Sequence, residues 1–543
     1  MSKKSVAVLL AVVLALALAA CGSDSDSGSS GTGASEASLP LVNEAPAATT
    51  SLDSVSWGAI TAPTTLDPVL GLDYGDEIRT NLCDNILRFE ADGSGAPAIA
   101  KSVANPNPKT FVYEIRPGIK FWNGDEVTAE DVAYSLARNL DPQVASHFAT
   151  YYGNVKSIEA TGPMQVTVEM TRPDYVFPEI LGTAAGAIVQ KSYAEEKGKD
   201  FGTKSGGLMC TGPYELASWT ANEIVLKANP NYWDESLQPQ TSTLNFRVVP
   251  DEDTLTSALL AGDIDGGTIY GSTAAARLQG AKSGTLFYGN STLDLQLITT
   301  TREGALKNRT VRQALSLALP RDGIAETVYA NAAVPSKSMV SAIQPWAYAR
   351  STFEDYFAKR PPLSTSGDID KASEMIRDAG FEGEKVNIAI TGNYKEVSDV
   401  IVETANAVGL DATATTLTTS QGVSLYYDEK LRERYDGFIL PWNSNVSDPL
   451  ENLVYWTPGG EYNYSGYDNP KYTQIVERAV GTADPEERAK LATQALTIVD
   501  GDLPWIPIVD QPFLSYMNEG VTGGPVTMMG RNWAQWGAYL GGK

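Results

Sequence analysis

Residues 111–135 read FVYEIRPGIKFWNGDEVTAEDVAYS, and this stretch carries the signals of a strand, a turn and a helix in succession. The side chains of Thr110–Ile115 alternate with a period of two, which is typical of a strand with one buried face. Pro117 and Gly118 suit the centre of a type II turn, because glycine accepts a positive φ there. The sequence therefore predicts that Ile119–Trp122 returns as a second strand.

A helix and a parallel crossover are predicted from the same kind of local pattern. Thr128 and Asp131 have the spacing of a capping box, so a helix is predicted to begin after Thr128. Farther along, a strand at Val386–Thr391, a helix at Lys395–Val408 and a strand at Ala412–Thr419 form one βαβ unit. Crossovers of this length join parallel strands. Strands alternate with helices along the chain, which predicts an α/β protein.

The composition and the motif content limit the classes of function. The 543 residues include 66 acidic and 41 basic side chains, a formal net charge of −25, which excludes a nucleic-acid-binding protein. His147 is the single histidine, so the chain lacks the two- and three-histidine sets of many metal enzymes. The local motifs of common hydrolases, P-loop proteins and dinucleotide-binding proteins are missing from the sequence. We predict a binding protein with no catalytic residue, cofactor or metal.

The N-terminus has the features of an exported lipoprotein. Lys3 and Lys4 precede an uncharged run of Ala, Val and Leu, and residues 18–21 read LAAC, which resembles the bacterial lipobox. This predicts a lipoprotein signal peptide at residues 1–20 and lipidation of Cys21, with a plain signal peptide or a membrane anchor as alternatives. Residues 21–50 are rich in Ser, Gly, Ala, Thr and Asp and predict a flexible tether.

Two cysteines remain once Cys21 is acylated. Cys83 and Cys210 are 127 residues apart, and an exported protein meets an oxidising compartment. We predict a disulfide between them, and two buried thiols are the alternative.

Many short motifs occur in an order that resembles one protein family. Besides residues 111–135, these motifs are Thr65-Leu66-Asp67-Pro68, Asn81-Leu82-Cys83-Asp84-Asn85-Ile86-Leu87, Thr211-Gly212-Pro213-Tyr214, Asn229-Pro230-Asn231-Tyr232-Trp233, Ala261-Gly262-Asp263-Ile264-Asp265, Val311-Arg312-Gln313-Ala314-Leu315 and Tyr467-Asp468-Asn469-Pro470. The chain resembles the family 5 extracellular solute-binding proteins of ABC importers for oligopeptides, dipeptides and nickel. The resemblance runs from about Ser54 to the end.

The resemblance implies a two-lobed α/β fold of the periplasmic-binding-protein type (type II), with an extra strand-rich subdomain in the first lobe. The implied division is a first lobe at 51–290, its subdomain at about 84–187, a second lobe at 291–510, a return to the first lobe at 511–543, and lobe crossings near Phe287–Thr292 and Val509–Phe513. Such a protein closes its lobes on a ligand.

The resemblance also implies a role and its partners. We expect a monomer on the extracytoplasmic face of the cell membrane that captures an oligopeptide or similar solute and delivers it to ABC permease subunits. A neutral oligosaccharide is the main alternative ligand, and nickel is disfavoured because the chain has one histidine. From other classes, a lipid-anchored sensor that binds a partner and a secreted hydrolase remain alternatives.

One segment of the resemblance carries most of the expected ligand contacts. Residues 440–445 match a loop that lines the cleft, which implies ligand contacts by Pro441, Trp442, Asn443 and Asn445. Peptide-binding relatives have an Asp, which pairs with the peptide α-ammonium, at the position of Asn445, and a Gly at that of Pro441. Asn lacks the charge that a buried ammonium needs, and Pro has no N–H for a peptide backbone. We therefore expect Asn445 to contact a neutral part of the ligand.

Other expected ligand residues come from more distant segments. Asp73 and Tyr74 match the N-terminal cleft segment of the family, and Phe148 matches an aromatic residue of the pocket. Tyr464 is a further candidate, and Asp73 or Asp510 could supply a displaced carboxylate for a ligand amine.

Overall fold

The computed structural model of the protein describes residues 39–71 and 75–543. The predicted signal peptide, Cys21 and the first part of the tether lie outside the described residues, as do Asp73 and Tyr74. The prediction of a flexible tether is wrong for its described end, because Leu41–Val42 forms a strand that pairs with Tyr288 and Gly289 and Ala45 is buried. The described part contains twenty β-strands and seventeen α-helices.

The strands are defined here in chain order. They are β1 (Leu41–Val42), β2 (Leu52–Ala59), β3 (Leu87–Phe89), β4 (Gly95–Pro97), β5 (Ala100–Asn107), β6 (Thr110–Ile115), β7 (Val155–Gly162), β8 (Gln165–Met170), β9 (Tyr214–Trp219), β10 (Glu223–Ala228), β11 (Thr241–Val248), β12 (Gly266–Ile269), β13 (Gly284–Gly289), β14 (Asp294–Thr299), β15 (Val334–Pro335), β16 (Lys385–Thr391), β17 (Asp411–Leu417), β18 (Gly437–Trp442), β19 (Ile506–Asp510) and β20 (Phe513–Asn518).

The α-helices are defined in the same way. They are α1 (Asp76–Arg79), α2 (Ala129–Ala137), α3 (Phe177–Ile180), α4 (Lys191–Lys197), α5 (Glu252–Ala261), α6 (Ser272–Leu278), α7 (Arg309–Ala318), α8 (Arg321–Thr327), α9 (Arg350–Ala358), α10 (Ile369–Asp378), α11 (Lys395–Ala407), α12 (Thr419–Ser424), α13 (Glu429–Arg432), α14 (Leu450–Tyr455), α15 (Pro470–Val480), α16 (Pro485–Asp502) and α17 (Met528–Trp533).

An eight-stranded mixed sheet forms the centre of the first lobe. Its strand order is β1-β13-β20-β12-β2-β11-β10-β9, and β2 runs parallel to both β11 and β12. Trp57 of β2 and Phe246 of β11 are buried on one face, where they pack with Trp536 near the C-terminus. The C-terminal segment is therefore part of the first lobe's core.

A six-stranded sheet forms the centre of the second lobe. Its strand order is β15-β19-β14-β18-β16-β17. Strand β16 pairs in parallel with β17, and α11 connects them, so the predicted βαβ unit is confirmed. Val397 and Ile401 of α11 are buried against this sheet, as expected for an amphipathic crossover helix.

A smaller antiparallel sheet, β5-β6-β8-β7, lies in the segment that the resemblance assigned to an extra subdomain. The capping box at Thr128 and Asp131 is confirmed and begins α2. The predicted return strand at Ile119–Trp122 is wrong, because β5 and β8 already occupy both edges of β6. These residues instead form a turn region in which Ile119 is buried in the subdomain core.

Two short segments connect the large sheets. The chain leaves the first sheet at the end of β13 and enters the second at Asp294, and it returns from Asp510 to Phe513. Connections of a few residues between rigid bodies are suited to act as hinges.

A disulfide joins Cys83 to Cys210 within the first lobe. The two Cα atoms are 4.9 Å apart, and both side chains are buried. The bond ties the segment after α1 to the loop that precedes β9.

Candidate functional site

The edge of the second sheet nearest the crossings carries a row of paired residues. Across neighbouring strands, Val334 pairs with Asp510, Asp510 with Asp294, and Asp294 with Trp442. The row lies at this edge because β14 begins, and β18 and β19 end, next to the connections to the first lobe. Two residues named from the sequence, Trp442 and Asp510, are thus brought into one row, and Asp294 joins them.

Asp510 is fully buried and fixes a nearby loop. Its carboxylate accepts hydrogen bonds from Ser336 Oγ at 2.6 Å and from the Ala342 N–H at 2.8 Å. Burial raises the pKa of Asp510 to about 6, although these two hydrogen bonds lower it. Such a group positions the 336–342 loop, and its burial keeps it away from a solute in this conformation.

Asp294 was missed by the sequence reasoning, although an acid in the first position of a buried strand is a visible signal. Gln296 Nε2 lies 3.1 Å from each carboxylate oxygen of Asp294. Burial and the neighbouring charge of Asp510 raise the pKa of Asp294 well above its ordinary value. The pair therefore favours a protonated carboxyl at this edge of the sheet.

Trp442 lies in an aromatic cluster of the second lobe. Its ring contacts Tyr455, Tyr462 and Trp505 edge-on, with centroids 5.8, 5.0 and 5.0 Å away. Its indole N–H donates to Asn452 Oδ1 at 3.0 Å, and 6% of the residue is exposed. The ring is held firmly, with a small part of its surface accessible.

Two other residues named from the sequence are held by this cluster. Tyr464 stacks on Trp505, with centroids 6.0 Å apart, and its hydroxyl donates to the Tyr426 carbonyl. Pro441 accepts a hydrogen bond at its carbonyl from the Tyr426 hydroxyl at 2.6 Å. Asn443 follows directly after β18 and is half-buried.

The loop after β18 contacts the opposite lobe through Asn445. Asn445 Nδ2 donates to the Tyr151 hydroxyl at 2.7 Å and to Glu451 Oε1 at 3.1 Å. Tyr151 belongs to a short 3₁₀ turn at Ala149–Tyr152 in the first lobe, and its hydroxyl donates to Glu451 Oε1 at 2.6 Å. Asn445, Tyr151 and Glu451 therefore form one hydrogen-bonded contact between the lobes.

Glu451, which the sequence reasoning missed, is the only carboxylate in that contact among the described residues. It accepts two further hydrogen bonds, from the Val446 N–H at 2.9 Å and the Tyr455 hydroxyl at 3.2 Å. Burial raises its pKa, while its donors lower it. The signal available in the sequence is an acid in the first turn of α14, which is otherwise largely apolar.

Phe148 supports the contact from the first lobe. Its ring lies 6.2 Å from Tyr151 and 6.3 Å from Trp533 of α17. Val446, from the loop after β18, packs into the same apolar cluster. The structure thus brings together Phe148 and Asn445, which are nearly 300 residues apart in sequence.

Comparison with known proteins places this geometry in a family. Residues 95–464 match the profile of the bacterial extracellular solute-binding proteins, family 5, middle region. The chain belongs to this family. It is 26% identical over 483 residues to the glutathione-binding protein GsiB of Escherichia coli O1:K1 / APEC, covering 85% of this chain and 89% of that protein.

Solved structures of similar fold agree with the two-lobed architecture. DppA from Helicobacter pylori, in complex with the peptide STSA, superposes with a TM-score of 0.74 at 19% identity, covering 91% of this chain and 98% of that chain. AppA from Bacillus subtilis, in complex with a nonapeptide, gives 0.74 at 18% identity, with 91% and 99% covered. The chain has the type II periplasmic-binding-protein fold.

Family 5 membership settles the class of function. Its members are solute-binding proteins of ABC importers rather than enzymes, and they act outside the cytoplasm. In the part of the chain that the structure describes, no helix combines the length and apolarity needed to span a membrane. In the same residues, His, Cys, Asp and Glu side chains form no group of three or more that could hold a metal ion.

Proposed function

We propose that this protein is a lipid-anchored receptor that captures a peptide or peptide-like solute between its lobes and presents it to ABC permease subunits. The observation that carries the proposal is the contact of Asn445 and Glu451 with Tyr151 across the lobes. Of these three residues, Asn445 belongs to the loop that the family resemblance assigns to the ligand cleft. A contact made only when the lobes meet can report the bound state to a permease.

Relatives favour peptide-like solutes. GsiB is named for glutathione, and DppA and AppA were solved with peptides. The hydrogen bonding around position 445 adds a restriction on the solute. Glu451 already accepts hydrogen bonds from Tyr151, Tyr455, Asn445 and the Val446 N–H, so its carboxylate oxygens are occupied by protein donors without an ammonium group. We therefore propose that a neutral part of the solute lies near Asn445.

The aromatic cluster around Trp442 also suits a second class of ligand, the neutral oligosaccharides. Tyr426 and Tyr462 are half-buried and their rings contact Trp442, and Tyr427, which is 62% exposed, contacts Tyr426. Exposed aromatic faces stack on sugar rings as well as on peptide side chains. A neutral oligosaccharide is accordingly the second candidate.

Identification of the native solute tests the proposal most directly. Protein purified without refolding is denatured, and the released small molecules are identified by mass spectrometry. The recovered compound should then bind to solute-stripped protein in calorimetry and stay chemically unchanged during incubation. Recovery of a peptide with a free, unblocked amine held near Asn445 would contradict the neutral-contact proposal, and turnover of the compound would contradict a binding role.

The anchor is tested separately. Because residues 18–21 match a lipobox, Cys21→Ala should leave the mature protein without lipid. Wild type should partition into the detergent phase of a phase-separation assay, and the variant should partition into the aqueous phase. Equal partitioning of the two proteins would refute the anchor.

A further inference from the structure

A second contact between the lobes is built around one arginine. Arg488 of α16, in the second lobe, places Nη2 2.9 Å from Glu179 Oε1 of α3, in the first lobe. Its Nη1 donates to the Tyr175 carbonyl at 3.1 Å, and its Nε lies 3.5 Å from Asp448 Oδ2. One guanidinium is thus shared by two carboxylates, one from each lobe.

The surroundings of this cluster come from both lobes. The Tyr175 N–H donates to the Val480 carbonyl at 2.9 Å, which joins the first lobe to the end of α15. Val176 packs into the aromatic and aliphatic core of the second lobe. The side chains of Arg488 and Asp448 are 8% and 0% exposed, and that of Glu179 is 16% exposed. Since each lobe covers the other's groups, separation of the lobes would return Glu179 to water.

The cluster has more acids than bases. Glu179 Oε2 and Asp448 Oδ2 accept no hydrogen bond from the described residues. The Tyr348 hydroxyl donates to the other Asp448 oxygen at 2.8 Å, and the Tyr348 ring covers the guanidinium at 4.0 Å. The charged groups that act on the two carboxylates from neighbouring elements are Glu451, near Glu179, and Asp174, near Asp448, and both are acids. Among the described residues, one negative charge of this carboxylate pair is therefore left without a cation.

We propose that Glu179, Arg488 and Asp448 form a proton-dependent latch, in which one proton binds to the carboxylate pair as the lobes close. The inference rests on the opening and closing that the proposed function requires, but it does not depend on the identity of the solute. Burial and the charge of Asp448 raise the pKa of Glu179, and burial raises that of Asp448.

The direction of the pH effect follows from these shifts. In the open form Glu179 is solvated and has its ordinary pKa, whereas in the closed form the pKa is raised. The closed form therefore binds the proton more tightly, and closure is favoured as the pH falls. In the pH range between the pKa of Glu179 in the open form and its pKa in the closed form, the ratio of closed to open molecules should decrease by up to about tenfold for each unit by which the pH rises.

Single-molecule energy transfer on the protein without added solute measures this ratio. Dyes are attached through Lys227→Cys in the first lobe and Glu403→Cys in the second, which are both exposed, while Cys83 and Cys210 stay paired. From pH 5 to pH 9, the closed fraction should fall in the labelled parent protein. Glu179→Gln, which removes the titrating acid and keeps the shape, should flatten this dependence.

Asp92→Asn provides the matched control. Asp92 also pairs with an arginine across the lobes, since Arg350 Nη2 lies 3.4 Å from its carboxylate, but both side chains are nearly half exposed. This variant should keep the pH dependence of the parent. Asp448→Asn removes the same excess charge from the other lobe and should flatten the dependence, which gives a second test if Glu179→Gln fails to fold.

Three results would overturn the latch: a closed fraction that does not change with pH, a change that persists in both Glu179→Gln and Asp448→Asn, or no closed molecules at any pH. Failure of the proposed function would give a different result from failure of the latch. In that case no solute would be recovered from the protein, while energy transfer would still report pH-dependent closure.

Discussion

Removal of the Tyr151 hydroxyl tests whether the contact between Tyr151, Asn445 and Glu451 stabilises the closed, solute-bound form. Tyr151→Phe keeps the ring against Phe148 and removes the oxygen that lies 2.6 Å from Glu451 Oε1 and 2.7 Å from Asn445 Nδ2. Because the hydroxyl comes from the first lobe and its partners from the second, the change should weaken closure rather than folding.

The size of the effect can be worked out from the bonds that are lost. A net hydrogen bond to a charged group contributes about 1.5–3 kcal/mol. In the variant, the Glu451 carboxylate still accepts hydrogen bonds from Tyr455, Asn445 and the Val446 N–H, so the lower part of this free-energy range applies. A loss of about 2 kcal/mol corresponds to roughly 30-fold weaker binding. Isothermal titration calorimetry at pH 7 with the solute recovered from the protein measures this.

Tyr152→Phe is the matched control for this experiment. The Tyr152 hydroxyl donates to the Ala185 carbonyl at 2.7 Å, and both residues lie in the first lobe. Its loss should lower the free energy of unfolding by about 1 kcal/mol and leave the solute affinity unchanged. Binding by Tyr151→Phe within threefold of wild type, or an equal loss in both variants, would refute the reasoning.

Three further predictions concern buried charge and the disulfide. Asp294→Asn should raise the thermal midpoint of unfolding at pH 7.5 but not at pH 4. The reason is that the raised pKa of Asp294 makes the folded state lose stability as the pH rises above about 4. Lower midpoints at every pH in calorimetry would contradict this. Asn445→Asp should weaken the affinity for the recovered solute at least tenfold, because it places a second carboxylate beside Glu451. Calorimetry that shows unchanged or tighter binding would oppose that reasoning. Replacing both Cys83 and Cys210 with Ser should lower the free energy of unfolding by at most about 5 kcal/mol, given the 127-residue separation, and a urea midpoint equal to that of wild type would argue against this contribution.

The elements predicted correctly from the sequence are those whose signals lie close together in the chain. The capping box of α2 spans four residues, and the βαβ unit from β16 to β17 shows its periods within about thirty. The return strand after Gly118 was predicted wrongly because a local pattern cannot tell which strand will occupy the edge of β6. That choice depends on β5 and β8, which come before the pattern and well after it.

The candidate site is less predictable than the fold elements because the residues that form it are far apart in the sequence. Family resemblance pointed to the loop that contains Asn445, but its partner Tyr151 is 294 residues away. The resemblance also carried a ligand role for Trp442, whereas packing among Tyr455, Tyr462 and Trp505 leaves 6% of Trp442 exposed. Whether a tryptophan contacts solute or core depends on the rings around it, which no local pattern specifies.

The buried acids share a location that bears on how a receptor of this kind works. Glu179, Asp448 and Glu451 lie where the lobes meet, and Asp294 and Asp510 lie beside the crossings. Burial raises the pKa of each of these carboxyl groups, which means that the folded protein disfavours their ionised forms. At neutral pH the five acids therefore raise the free energy of the folded, closed protein. A receptor that closed firmly by itself would present an empty cleft to its permease. Burial of Glu179 against Arg488 opposes this, because the closed form then needs the contacts of a solute, or a proton, to offset the desolvation of that acid.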